Sequence, residues 1–185
     1  MTSFLTRILP ALLLTLFVLV GCDSSDDLDA ADDIANSTGT VQVGNDAAAD
    51  ITGNAYAVLT SNGEFGLIIF DGAYETFGTA EVAAYTVIAR ESQSGIPDRG
   101  SYPISESSGF MGLYANLDAS NFLNSTFINA EVGTLSITSS SSSRVVGTYT
   151  FSGELIQGQT TNGTTTVSGS FDAPIFEEDD FPDEP

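Results

Sequence analysis

Alternation of apolar and polar residues near the C-terminus constrains the fold of this chain more than any other feature. Leu135 and Ile137 alternate with hydroxyl-bearing residues, and the same period of two recurs over residues 145–152 and 166–172. This period is that of a β-strand with one buried face and one face exposed to water. The aromatic residues on the inward side of the pattern are expected to fill the core: Tyr149, Phe151 and Phe171.

The region that begins at residue 51 has the composition of strands throughout. Asn62 and Gly63 separate two apolar runs, 55–60 and 66–70, and this pair favours a hairpin turn because glycine adopts positive φ angles without strain. Further strands are predicted at 81–90, 101–105 and 110–115, and a short helix is predicted from Asp118, its cap, to Leu123. About eight short strands at this spacing predict an all-β, antiparallel β-sandwich or small barrel over residues 51–175.

Acidic segments flank this predicted domain on both sides. Residues 22–50 contain few large apolar side chains and many acids, so they cannot bury enough surface to offset the entropy of ordering. We expect a flexible tether there. The last ten residues, 176–185, contain six acids and two prolines and are expected to form a disordered tail.

The N-terminus has the features of a secretory signal peptide. Arg7 supplies a positive charge, residues 8–20 form an apolar run too short for a comfortable membrane span, and small Gly21 precedes Cys22, the only cysteine. This arrangement resembles the lipobox of bacterial lipoproteins. The resemblance implies removal of residues 1–21 by cleavage between Gly21 and Cys22, and attachment of lipid to the Cys22 thiol. Two or three acyl chains would hold the mature chain permanently, at about 0.8 kcal/mol per buried methylene.

The charge of the chain restricts its partners. There are 25 acidic residues against 4 basic ones, a net charge of −21, and no lysine. Such a chain repels nucleic acid and anionic headgroups, so we exclude nucleic-acid binding and expect attraction for cations. An acidic, lysine-free composition is also typical of proteins from salt-loving organisms, whereas the alternative is that acidic ends keep a crowded surface protein soluble.

The residue inventory removes most enzyme classes. Without histidine, lysine or a second cysteine, the chain has no Ser-His-Asp triad, no Schiff base and no histidine or thiolate zinc site. A glycosidase would need two carboxyl groups facing one cleft. The candidates for such a pair are Glu64, Asp71, Glu75, Glu154 and Asp172. Most of these fall in turns or at outward-facing positions, so we predict no catalytic residues, no enzymatic activity and no cofactor.

The acidic runs do not match a dedicated calcium site. Residues 27–31 lack both the alternating acids and the glycine of an EF-hand loop. We therefore predict weak, diffuse cation binding and no specific metal site.

Four further sequence segments carry a family resemblance. A lipobox and a polar tether are followed by GSYPI (100–104), GTLSIT (133–138), VGTYTFSG (146–153) and VSGSFDAP (167–174). This series resembles a domain-of-unknown-function family of small bacterial lipoproteins over residues 100–174. The resemblance implies an envelope location and a compact antiparallel β fold, and it transfers no catalytic residues.

These features together predict a non-enzymatic binding or interaction module of the cell envelope. Lipid on Cys22 would hold it to the outer membrane, on the periplasmic face or at the cell surface, where a protein or a glycan is the expected partner. Loops at 92–100 and 118–126 are the first candidate contact regions. Three aromatic residues near loops are candidates for an exposed contact: Tyr102, Phe110 and Tyr114.

Two alternative functions remain open at this point. A lipocalin-like carrier of a small apolar ligand would require a continuous cavity inside a barrel. A carboxylate-dependent glycosidase would require paired acids about 5–9 Å apart.

Overall fold

Nine β-strands account for most of the residues that the structure describes. In this computed structural model the described residues are 34, 36–44, 50–71, 84–90, 95–105, 107, 109–118, 121, 124–158 and 160–177. The strands are β1 (Thr38–Val43), β2 (Ile51–Leu59), β3 (Phe65–Phe70), β4 (Ala84–Arg90), β5 (Gly100–Ile104), β6 (Phe110–Asn116), β7 (Thr126–Ser140), β8 (Arg144–Gln157) and β9 (Thr160–Glu177).

The strands close into a ring, as the predicted barrel requires. Their order is β1-β2-β3-β4-β6-β5-β7-β8-β9, and β9 pairs with β1 to complete the ring. The all-β fold class is therefore confirmed. The sheet is mixed rather than purely antiparallel, because β9 runs parallel to β2 and β5 runs parallel to β6 over short stretches.

Both parallel pairings occur where a short strand fills a fork between two longer ones. β1 lies between β2 and β9. Beyond the position where β1 begins, β9 continues toward its C-terminal end and pairs directly with β2, with Ala57 opposite Ile175. β5 lies in the same way between β6 and β7, which pair directly at Asn116 opposite Thr126. The short strands thus complete a closed sheet, an arrangement that removes the exposed edges of open sheets.

The hairpin predicted at Asn62 and Gly63 joins β2 to β3. The N–H of Gly63 donates to the carbonyl of Thr60 at 2.7 Å, and Gly63 has a φ of 78°. Asn62 keeps a negative φ, since none of the described non-glycine residues has a positive one. The turn therefore needs the conformational freedom of glycine at one position only.

The inside of the ring is filled by one hydrophobic cluster. The inward aromatic residues predicted from the alternation are all buried, with Tyr149 3 %, Phe151 1 % and Phe171 2 % exposed. Apolar side chains from all nine strands join them in this cluster. The prediction of a core built from the inward face of the C-terminal strands is confirmed.

A second hydrophobic cluster lies on the outer face of β2, β3, β4 and β6. It contains Tyr56, Ile68, Phe70, Tyr85 and Ala115, and each of these side chains is buried. Two residues from the ends of the domain also pack there, Ile34 and Phe176. This part of the sheet is therefore apolar on both faces.

The segment before β1 is fastened to this wall by hydrogen bonds. The carbonyl of Ile34 accepts from the Ser37 N–H at 2.9 Å, the Ser37 hydroxyl at 2.5 Å and the Asn54 side chain at 2.9 Å. The Ser37 hydroxyl also accepts from the N–H of Ala55 at 2.9 Å. We refer to Ile34 and Ser37 as the N-terminal latch.

The latch and β1 correct the domain boundaries drawn from the sequence. The predicted tether, 22–50, contains both of them, so the folded domain starts at or before Ile34 rather than at residue 51. At the other end β9 runs to Glu177, and Phe176 is only 7 % exposed because it packs on the outer cluster. The signal segment 1–21, Cys22 and residues 178–185 lie outside the described residues. Among the residues described, no helix has the length and apolar character needed to span a membrane.

Candidate functional site

Four of the carboxylates considered for catalysis form two pairs whose members are separated along the strands. Glu64 is in the β2–β3 turn and Asp71 follows the far end of β3, so the length of a strand separates them. Glu154 and Asp172 lie near opposite ends of the β8–β9 pair, opposite Thr164 and Val146 respectively. Glu75 lies outside the described residues. The described part of the chain also has no group of three or more acidic, histidine or cysteine residues able to hold a metal ion.

The prediction of exposed contacts at Phe110 and Tyr114 is wrong. Both side chains point into the barrel, where they are 2 % and 1 % exposed. Tyr102 is half-buried and packs on Phe110, with ring centroids 5.5 Å apart. The Arg90 guanidinium lies over the Phe110 ring, 5.3 Å from its centroid. These residues form one corner of the core.

Residues 95–100 cross one end of the barrel between β4 and β5. Arg90 donates to the carbonyl of Gly95 at 2.5 Å, and the Gly95 N–H donates to the carbonyl of Gly63 at 2.7 Å. Farther along, the carbonyl of Pro97 accepts from the Ser140 hydroxyl at 2.9 Å. This part of the predicted 92–100 contact loop is therefore fixed at three points, which suits a structural cover for the core.

The second predicted contact loop, 118–126, is described only in part. The Asp118 carboxylate accepts from the Asn121 N–H at 3.0 Å, which is the contact expected of a helix cap. The predicted helix through Leu123 lies largely outside the described residues.

A tyrosine inside the barrel ties three strands together. The Tyr149 hydroxyl donates to the carbonyl of Thr40 at 3.0 Å, passing over Gly169 of the intervening strand. A Cβ at Gly169 would lie 1.8 Å from the Thr40 oxygen and 2.7 Å from the Tyr149 hydroxyl. Only glycine leaves room for this contact, which holds β1 against β8 and β9. Burial also raises the pKa of Tyr149 above its ordinary value of 10.

On the outer side of the same strands, the register places serine and threonine side chains in rows. One row crosses five strands, and its members are Ser136, Thr148, Ser170, Thr40 and Thr52. The next rows contain Thr134, Thr150 and Ser168, and then Ser152 and Thr166. We call these ten residues the hydroxyl face. All ten are exposed or half-buried.

The hydroxyl face is a regular, ordered grid. Neighbouring strands in a sheet lie about 4.8 Å apart, and alternate residues along a strand lie about 6.8 Å apart. Hydrogen bonds across strands join Thr40 to Ser170 at 2.9 Å and Ser152 to Thr166 at 2.8 Å. The Ser170 N–H also donates to the Thr40 hydroxyl oxygen at 3.0 Å. These contacts order four of the ten side chains at the surface.

Comparisons with known proteins do not assign this face to a family. No family model, no curated protein and no solved structure matches the chain. No family is identified. The resemblance to small bacterial lipoproteins therefore supports a proposal only, whereas the all-β domain itself is established by the structure.

Charged residues lie at the margins of the hydroxyl face and not within it. Arg144 and Asp172 form an ion pair at one end, 2.5 Å apart, with both side chains about two-fifths exposed. Glu154 lies toward the other end, opposite Thr164. Val132, which is 65 % exposed, lies opposite Ser152 and extends that row with an apolar side chain.

The centre of the face and the outer cluster lie on opposite walls of the barrel. The latch packs on the outer side of β2, β3 and β4, whereas β8 forms the middle of the face. Three or four strands separate β8 from β3 and β4 in either direction round the ring. The chain enters the domain at the β1–β2 edge of the face, because Ser37 precedes Thr40 by three residues and bonds to Ala55 of β2.

Proposed function

We propose that this chain is a lipid-anchored binding module of the cell envelope that works without enzymatic chemistry. The observation that carries the proposal is the hydroxyl face, an exposed and uncharged surface in a strongly acidic chain. The centre of the face, on β8, lies across the barrel from the outer cluster, which supports an open docking surface. The outer membrane, on the periplasmic side or at the cell surface, is the proposed location.

The length of chain between Cys22 and the latch limits how far the domain can stand from the membrane. Ile34 follows Cys22 by twelve residues, which span at most about 40 Å even when fully extended. Lipid on Cys22 would therefore keep the domain within about that distance of the membrane. That reach is long enough for the hydroxyl face to meet a partner in the space beyond the membrane.

The filled interior supports surface binding over the lipocalin-like alternative. The inward positions of all nine strands contribute to one hydrophobic cluster, and its large members include Phe65, Leu67, Phe151 and Leu135, each no more than 1 % exposed. A carrier of a small apolar ligand needs an internal space lined by such residues rather than filled by them. The separation of the candidate carboxylates likewise favours a non-enzymatic role over a glycosidase.

The experiment that tests the anchor is metabolic labelling with an alkyne-bearing fatty acid. We expect the wild-type chain to take up label and to begin at Cys22 after processing, and we expect Cys22→Ser to lose the label. Ser24→Ala, two residues away, is the matched control and should be labelled normally. Label retained by Cys22→Ser, or a mature N-terminus elsewhere, would overturn the proposal.

The location is tested by protease treatment of an epitope-tagged chain on intact and on lysed cells. Digestion on intact cells indicates surface display, and protection until lysis indicates the periplasmic face. Recovery of the chain from the soluble fraction after gentle lysis would contradict a lipid anchor.

A further inference from the structure

We propose that the hydroxyl face binds an uncharged, hydroxyl-rich polysaccharide. This inference rests on the proposed function as a binding module and identifies the chemical class of its partner. It is carried by the uncharged side chains of the face and by the hydrogen-bonding capacity of those side chains.

The absence of charge within the face selects against charged partners. The chain has 25 acidic residues, yet no paired position in the three rows of the face carries a charge. Asp172 and Glu154 lie in the rows on either side. A charge in the middle of a docking surface loses its hydration when a partner covers it, and a neutral partner offers no counter-charge in return. Anionic polymers are repelled by the net charge of the molecule. A surface without charges therefore suits a neutral partner.

Serine and threonine have the same hydrogen-bonding character as the partner we propose. Each hydroxyl offers one donor and two acceptor lone pairs, and its hydrogen rotates to suit the group that it meets. The hydroxyls of a sugar have this same dual character. A grid of such groups can satisfy the hydroxyls of a sugar chain without leaving a buried donor or acceptor unpaired, the costly outcome at polar interfaces.

The rigidity of the face lowers the cost of binding. Six of the ten members are threonine, which is β-branched and restricted at χ1, and the cross-strand bonds from Thr40 to Ser170 and from Ser152 to Thr166 order four of the ten side chains. These restrictions reduce the side-chain freedom that is lost when a partner docks. Exposed Val132, at the edge of the grid, adds one apolar contact for the carbon face of a sugar ring.

The repeating geometry of the grid favours a polymer over a single sugar. A polysaccharide repeats the same unit along its length, so it can meet successive rows of the face with similar contacts. All ten members of the face are serine or threonine, and none is aromatic. Each contact with a sugar is therefore weak, and the affinity for a polysaccharide must come from many contacts. Display of many anchored copies on one membrane would raise the overall affinity by about 100- to 10,000-fold through avidity.

The test measures retention of labelled polysaccharides on beads that display many copies of the chain. The mature chain, residues 22–185, is attached through a C-terminal biotin, which mimics dense display without requiring the lipid. The probes are fluorescent dextran, mannan and xyloglucan, which are neutral, and alginate as the anionic control. We expect at least one neutral polysaccharide to be retained at least tenfold better than alginate.

Variants then locate the binding surface. Thr148→Glu with Thr150→Glu places two charges at the centre of the grid, and Thr148→Val with Thr150→Val removes two hydroxyls while keeping the β-branched shape. Both positions are exposed, so neither pair disturbs the core. The matched control is Thr160→Glu with Thr161→Glu, which adds the same charge at exposed strand positions outside the face. We expect at least a tenfold loss for both face variants and less than a twofold change for the control.

Three results would overturn the inference. The first is failure to retain any of the three neutral polysaccharides at the density of the beads. The second is equal loss in the control and in the face variants, which would place binding elsewhere. The third is a dimer in sedimentation equilibrium that Thr148→Glu with Thr150→Glu abolishes while polysaccharide retention is unchanged, which would assign the face to a second copy of the chain. Failure of Cys22 labelling would overturn the anchor alone, because the beads do not depend on lipid.

Discussion

The N-terminal latch gives the sharpest test of where this domain begins. Ile34 has no exposed surface and packs on the outer cluster with Tyr56, Phe70 and Tyr85. Ile34→Ala removes three carbon atoms from this contact. The hydrogen bonds accepted by the backbone carbonyl of residue 34 do not involve the side chain, so the variant isolates the loss of apolar packing.

The expected magnitude follows from the burial of the side chain. Three buried carbons contribute about 2.4 kcal/mol at about 0.8 kcal/mol each. The cavity that they leave adds to this, and buried isoleucine-to-alanine changes cost about 2–5 kcal/mol. We expect a loss of about 3 kcal/mol. With a urea dependence of about 2 kcal/mol per molar for a domain of this size, the midpoint should fall by about 1.5 M.

The assay is urea unfolding at a fixed, high salt concentration, followed by tyrosine fluorescence and circular dichroism. Val132→Ala is the matched control, because it also truncates a β-branched aliphatic side chain but at a position 65 % exposed. We expect the control to change the free energy of unfolding by less than about 0.5 kcal/mol. Equal midpoints for the two variants would refute the view that residue 34 belongs to the folded core.

Two other predictions concern the contact between β1, β8 and β9 and the buried tyrosines. Gly169→Ala should cost at least about 3 kcal/mol in urea unfolding, because its Cβ would overlap the backbone oxygen of Thr40, whereas Ser168→Ala on the outer side should cost less than about 1 kcal/mol. Similar midpoints for these variants would show that β1 is not held against β9 as described. Burial also raises the pKa of Tyr85 to about 12 and raises that of Tyr149 further. In the unfolded chain the pKa of a tyrosine is about 10. The stability that comes from these neutral tyrosines is therefore complete below pH 10, and it is lost between about pH 10 and pH 12 at up to about 1.4 kcal/mol per pH unit for each tyrosine. Tyr85→Phe should make this alkaline fall shallower in unfolding measurements from pH 9 to 12, and an unchanged slope would contradict the assignment.

The sequence predicts the strands whose two faces meet different surroundings. In β8 and β9 one side meets the core and the other meets water, so apolar and hydroxyl residues alternate, and Tyr149, Phe151 and Phe171 were placed inward correctly. In β6 this signal is missing. Its inward residues, Phe110 and Tyr114, alternate with outward apolar residues because the outer wall there is largely buried as well. Without alternation, the direction of these two side chains could not be read from the sequence.

The N-terminal strand was missed for a different reason. β1 contributes only Val41 and Val43 as large apolar residues, and it lies within a stretch dominated by acids and small residues. Average composition favours a tether there. The strand forms because β2 and β9 leave a fork that it fills, and Tyr149 and Gly169 hold it in place.

The sequence alone determined that this chain forms an all-β domain, since a period of two depends only on neighbouring residues. The tertiary structure decided which strands pair and therefore which side chains share a surface. Thr40 and Ser170 are 130 residues apart, yet their hydroxyls lie 2.9 Å from one another in the hydroxyl face. Such a contact depends on ring closure and on the register of β1 against β9, which are set by long-range packing and not by any local pattern.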